Sequence, residues 1–131
     1  MKHGQSVVGV ASPVLTDLPA LLTAERRDVV LVQGDTVSAT AGALVAFYLG
    51  IPVAHVEAGL RTGMLREPFP EEGNRKLIAA ISSVHYAPTA WAADNLRAEN
   101  VPEADIMVTG NTGIDPFRQI SAQVPMQFRP P

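Results

Sequence analysis

Short, wholly apolar runs rich in valine and isoleucine alternate along this chain with stretches of helical period, and that alternation constrains the fold more than any other feature. Asp28-Val29-Val30-Leu31-Val32-Gln33 is continuously apolar at its centre and is followed by Gly34-Asp35, which predicts a strand buried on both faces. Val37, Ala41, Leu44, Val45 and Tyr48 then recur at helical spacing until Gly50 ends the pattern. Ile51-Pro52-Val53-Ala54-His55-Val56 is a second strand, with proline near its start, where a missing N–H is tolerated. Residues 57–69 have no period and read as a loop. Pro70 opens a helix with Leu77, Ile78 and Ile81 as its buried stripe. Val84-His85-Tyr86-Ala87 is a third strand, Pro88-Thr89 leads a helix to about Glu99, Ile106-Met107-Val108 is a fourth strand, and Gly110-Asn111-Thr112 begins a last helix. Upstream, Val14, Leu15, Leu18, Leu21 and Leu22 predict a helix that Pro13 or Pro19 kinks or delays. Strand–helix alternation of this kind implies a parallel α/β sheet with right-handed crossovers.

Size and charge narrow the class further. The 131 residues allow one domain, and 47% apolar against 18% charged residues suits a folded core. A net charge of −3 disfavours a nonspecific nucleic-acid binder. The absence of cysteine excludes disulfides, thiolate zinc sites, iron–sulfur clusters and cysteine nucleophiles. The N-terminus lacks the apolar core of a signal peptide, and no uninterrupted apolar run reaches the roughly 18 residues of a membrane span. The expectation is a soluble cytoplasmic domain that engages neither membrane nor nucleic acid. It begins almost directly in a helix, and its last residues, 121–131, form a frayed tail.

Ligands of parallel α/β sheets bind where strands end and helices begin, so polar residues at those points rank first. Asp35 stands just after the first strand, either as a helix N-cap or as a functional carboxylate. Strand alternation sends His55 and Glu57 to one side. Glu57 then sits at the sheet edge beneath a loop flanked by Gly59 and Gly63, unless it simply pairs with Arg61. Glu71 and Glu72 suit the positive end of a helix dipole, and Glu71–Arg75 and Glu72–Lys76 have the spacing of helical ion pairs. No phosphate-binding loop, dinucleotide fingerprint, nucleophile elbow or zinc-ligand spacing is present. Three acids converging on one sheet edge, Asp35, Glu57 and Glu71, suggest proton-transfer chemistry without a metal.

Four blocks in order carry a resemblance: Val29-Val30-Leu31-Val32-Gln33-Gly34-Asp35-Thr36; Ile51-Pro52-Val53-Ala54-His55-Val56-Glu57-Ala58-Gly59-Leu60-Arg61-Thr62-Gly63; Pro70-Glu71-Glu72-Gly73-Asn74-Arg75; and Thr109-Gly110-Asn111-Thr112. Over residues 4–120 the chain resembles the non-hydrolysing UDP-N-acetylglucosamine 2-epimerase family. The resemblance implies one incomplete half of a two-domain, glycosyltransferase-B-like fold, whose two Rossmann-like domains hold the substrate between them. It implies interconversion of UDP-N-acetylglucosamine and UDP-N-acetylmannosamine by elimination and re-addition of UDP, with no cofactor, in cytoplasmic homodimers serving polysaccharide synthesis. It assigns Asp35, Glu57 and Glu71 to catalysis without dividing their roles. It places His55, Arg61 and Arg75 in substrate binding or positioning, with Arg75 orienting Glu71, and sets Gln5 near an activator site for a second substrate molecule.

The departures from the family pattern set a further expectation. The family's first strand, its Gly-Thr-Arg-Pro-Glu loop and its whole second domain have no counterpart here, and Gly113 replaces a β-branched residue. Without those cationic groups for the leaving diphosphate, the isolated chain is expected to turn over little. The competing readings are a hydrolysing relative that releases N-acetylmannosamine and UDP, and a noncatalytic remnant that binds partners through an open sheet edge.

Overall fold

The computed structural model describes residues 5–123. Its elements are α1 (Val7–Glu25), β1 (Val30–Gln33), α2 (Val37–Tyr48), β2 (Val53–Val56), α3 (Glu71–Ile81), β3 (Val84–Ala87), α4 (Ala90–Ala98), β4 (Ile106–Val108) and α5 (Ile114–Gln123), with one 3-10 turn, Glu103–Asp105, before β4. The four strands form one parallel sheet in the order β1-β2-β3-β4. It is an α/β Rossmann-like layer, as the alternation predicts. Residues 124–131, most of the expected tail, lie outside the described residues, and α5 runs through Gln123.

Strand order follows chain order, so successive right-handed crossovers carry α2, α3 and α4 to the same side of the sheet. Val32 and Val53 point to that side and pack with Val45, Ala46 and Ile78, and Leu22 of α1 joins them across α2. A second cluster, Ala58, Ala79, Ala87, Ala92, Ala93 and Leu96, sits under α4. Leu31 and Met107 point the other way and stay 62% and 51% exposed. The expectation that the first strand is buried on both faces is therefore wrong. The apolar run is real, but its crossovers cover one face only.

The helices depart from their predicted ends in instructive ways. α1 is continuous through both Pro13 and Pro19 and starts at Val7. The Ser6 hydroxyl caps it by accepting from the Gly9 amide at 3.0 Å, and Thr16 and Thr23 hydroxyls donate to carbonyls near the prolines. By length and apolarity alone α1 is long enough to cross a membrane, with a mean hydropathy of 1.6, although Thr16, Asp17 and Thr23 interrupt its apolar run. α3 begins at Glu71, with Pro70 as its cap residue. Its buried stripe is Glu72, Asn74, Ile78 and Ala79, while Leu77 is exposed. The last helix begins at Ile114, two residues beyond Thr112.

Two histidines sit side by side inside the sheet, His55 on β2 paired in register with His85 on β3, and both are buried. Burial holds both below the ordinary imidazole range. At His55 the hydrogen bond to Gly34 opposes burial, while the His85 and Arg61 charges reinforce it. At His85 Asp105 and the Ser82 backbone oppose it. The unfolded chain, with ordinary imidazoles near 6.5, takes up protons before the folded chain does. Stability present above that pH is therefore lost as pH falls through it, by up to about 1.4 kcal/mol per unit for each histidine. The urea midpoint should be lower at pH 5 than at pH 7.5, and equal midpoints would refute this account.

Candidate active site

Because the strands are parallel, Asp35, Glu57 and the loop that leads to Glu71 all leave the same edge of the sheet. The capping question at Asp35 is settled by its neighbour. Thr36 is the N-cap of α2, its hydroxyl accepting from the Ala39 amide at 3.2 Å. Asp35 is drawn instead to α3. Its Oδ2 accepts from Arg75 Nε at 2.8 Å and lies 2.6 Å from Arg75 Nη2, and its carbonyl accepts from Asn74 Nδ2 at 2.7 Å.

Glu57 follows β2 with φ of 68°, a left-handed backbone that costs a non-glycine residue of order 1 kcal/mol or more. Strain of this kind persists where the surrounding chain imposes it. The turn places Glu57 Oε2 beside Gly34, next to the Asp35 loop. Glu71 is the first residue of α3, and its Oε2 is buried with no hydrogen-bond partner among the described residues. His55 Nε2 donates to the Gly34 carbonyl at 2.8 Å, and Nδ1 has no partner among the described residues. That bond ties β2 to the turn that carries Asp35. Gln5 is exposed, just ahead of the Ser6 cap. Two residues on, Val7 lines an apolar groove of about 520 Å³ with Leu65, Phe69, Pro70, Leu77 and Ala80.

The helical ion pairs suggested by spacing do not form. Arg75 bridges Asp35 and Glu72, not Glu71, and so does not orient Glu71 as expected. Arg61 turns away from Glu57 and grips Glu99 with Nε at 2.9 Å and Nη2 at 2.6 Å. Lys76 Nζ reaches the same Glu99 at 2.7 Å, not Glu72. Sequence reasoning missed the partners of Glu72 and the part played by Glu99, because long-range contacts leave no spacing signal. Glu72 is fully buried yet held below the usual carboxylate range: burial raises it, but the Thr62 and Gly63 amides and Arg75 outweigh that.

Glu99 has a testable consequence. Arg61, opposed in part by burial and helped by Lys76, lowers its pKa to about 2 from an ordinary 4.5. The pairing stabilises the fold above about pH 4.5 and is lost as pH falls toward 2. With the carboxylate partly exposed and screened, it contributes about 1–2 kcal/mol. Glu99→Gln should flatten the acid limb of urea stability between pH 4.5 and 2.5; an unaltered limb would show that the bridge contributes nothing.

Sequence and structure comparisons agree on the origin of this arrangement. The family model described as UDP-N-acetylglucosamine 2-epimerase matches residues 1–130. The UDP-N-acetylglucosamine 2-epimerase of Bacillus subtilis is 50% identical over 115 residues, which cover 88% of this chain and 30% of that protein. The Escherichia coli K12 protein is 45% identical over 124 residues, covering 95% and 33%. A Neisseria meningitidis UDP-GlcNAc 2-epimerase structure bound to UDP-GlcNAc superposes with a TM-score of 0.82 at 39% identity, covering 98% of this chain and 37% of that one. A Methanocaldococcus jannaschii UDP-GlcNAc 2-epimerase in complex with UDP-GlcNAc and UDP gives 0.85 at 43%, covering 93% and 34%. The chain thus spans about a third of the length of the relatives it matches. With the acid-bearing strand ends in place and a family match along almost its whole length, the chain belongs to the UDP-N-acetylglucosamine 2-epimerase family.

Proposed function

We propose that this chain carries the proton-transfer half of a UDP-GlcNAc 2-epimerase site. The supporting observation is the grouping of three carboxylates at one strand-end edge in a chain whose solved relatives are described as bound to UDP-GlcNAc and UDP. The C2 proton of the sugar is weakly acidic, so its removal is coupled to departure of UDP, and inversion requires proton return on the other face. Such chemistry needs two groups able to exchange a proton.

Glu57 and Glu71 fit that task. Glu57 is set beside the Asp35 loop by its left-handed turn, and Glu71 offers a buried oxygen that no other described residue engages. Asp35, already paired with Arg75, contributes fixed charge and orientation. His55 holds the Asp35 turn, and Arg61 braces the loop against α4 through Glu99. Arg61, Arg75 and Lys76 are all committed to carboxylates, which leaves them poorly placed to stabilise a departing diphosphate. Turnover by this chain alone is therefore slow.

Incubation with UDP-GlcNAc in heavy water, followed by NMR at the sugar C2, tests the reading. Slow loss of the C2 proton is expected, with UDP-ManNAc as the epimer formed. Glu57→Gln should cut that loss by roughly 100-fold or more. No exchange from a folded chain, or exchange that survives Glu57→Gln, overturns the proposal. Free N-acetylmannosamine with UDP would indicate the hydrolysing reaction instead.

A further inference from the structure

The second glutamate of Pro70-Glu71-Glu72 has a part that its position in sequence does not suggest. Glu72 is fully buried in the first turn of α3, and a buried carboxylate persists only where donors surround it. Its Oε1 accepts from the Gly63 amide at 3.3 Å and its Oε2 from Arg75 Nη1 at 3.1 Å. That amide belongs to the loop between β2 and α3 that follows Glu57.

The same carboxylate sets the direction of Arg75. A guanidinium is planar, so fixing one nitrogen fixes where the others point. With Nη1 on Glu72, the Nε and Nη2 atoms meet Asp35 Oδ2 at 2.8 and 2.6 Å. Asn74 holds the Asp35 carbonyl from the same helix. The Arg75 side chain is only 15% exposed, which leaves it little freedom to swing away.

We propose that Glu72 is a positioning residue of the site: its buried carboxylate aims Arg75 at Asp35 and makes the 62–63 loop and Asp35 one mechanical unit. This rests on the reading of Asp35 as a carboxylate of the epimerase site. A merely structural Glu72 would support folding without governing where Arg75 points.

The distinction is measurable in the ligand-free chain by NMR. Glu72→Gln keeps the volume but offers one accepting oxygen where the carboxylate offers two. The Arg75 Nε–H should then exchange with solvent roughly tenfold faster, while the Arg61 Nε–H, held by Glu99, stays unchanged. Asp35→Asn, at the partly exposed end of the link, should displace the Gly63 amide resonance more than the surface change Asp94→Asn does. Unchanged Arg75 protection in Glu72→Gln overturns the proposal, as does a silent Gly63 amide in Asp35→Asn. If Glu72→Gln does not fold, the Asp35→Asn result decides alone. No nucleotide sugar enters these measurements. Failure here removes the link whatever the chain does to UDP-GlcNAc, and absent C2 exchange with both signals seen removes the catalytic reading alone.

Discussion

Gly59→Ala is expected to unfold this domain or bring it close to unfolding. Gly59 lies in the loop after β2 at φ 87°, and a Cβ there would stand 2.1 Å from the Ala92 carbonyl oxygen and 2.8 Å from its carbon. Both are backbone atoms of α4, which cannot swing aside as a side chain would. The loop is also pinned from α4 by Asn95 Nδ2, which donates to the Gly59 carbonyl at 2.9 Å. Left-handed strain and overpacking together cost about 3–5 kcal/mol, against a total stability of about 5–15 kcal/mol for an ordinary domain. Gly63 is the internal comparison. It has φ 79°, but a Cβ there would meet no atom of the described residues within 4 Å, so Gly63→Ala should cost only about 1 kcal/mol. Urea unfolding of the two variants checks this, and equal losses would mean that the close approach to α4 is not a feature of the folded chain.

Arg75→Met is the second large effect. It removes the cation between Glu72, which is fully buried, and Asp35. Losing one member of a buried pair costs about 3–5 kcal/mol, mostly because the remaining charge stays buried without compensation. Pairing the change with Glu72→Gln should recover a good part of that loss, since the double variant no longer buries an unpaired charge. Arg97 offers a contrast. Its contacts are as short as the one Arg75 makes to Asp35, 2.6 Å to Glu103 and 2.7 Å to Asp94, yet it lies open to solvent, so Arg97→Ala should leave the urea midpoint nearly where it was. Additive losses for Glu72→Gln and Arg75→Met would show that the two side chains do not act as a unit.

Asp35, Glu57 and Glu71 could be placed along one sheet edge from the sequence because Asp35 and Glu57 follow apolar runs, Glu71 opens the next helix, and parallel strands bring such points to one edge. Their partners were not legible. Glu71 and Arg75, or Glu72 and Lys76, have the spacing of ion pairs, but isolated helical pairs contribute only about 0.2–0.5 kcal/mol. Long-range carboxylates in less watery surroundings outcompete them. Arg75 therefore reaches 40 residues back to Asp35, and Arg61 reaches 38 residues forward to Glu99. Glu72 looked like an ordinary first-turn acid until α3 docked and turned it inward. His85 carried no signal at all, because a histidine in a four-residue strand, β3, can face either way.

The order of strands and helices, the parallel sheet and the family can all be read from the chain before it is folded. All of these depend on local periodicity and on residues read one after another. Which face of the sheet is covered, which of two adjacent glutamates is buried, and which cation each carboxylate holds emerge only once the chain is packed. Those outcomes depend on contacts between segments distant in the chain, where burial lowers the local dielectric and a single well-aligned guanidinium outweighs any helical neighbour.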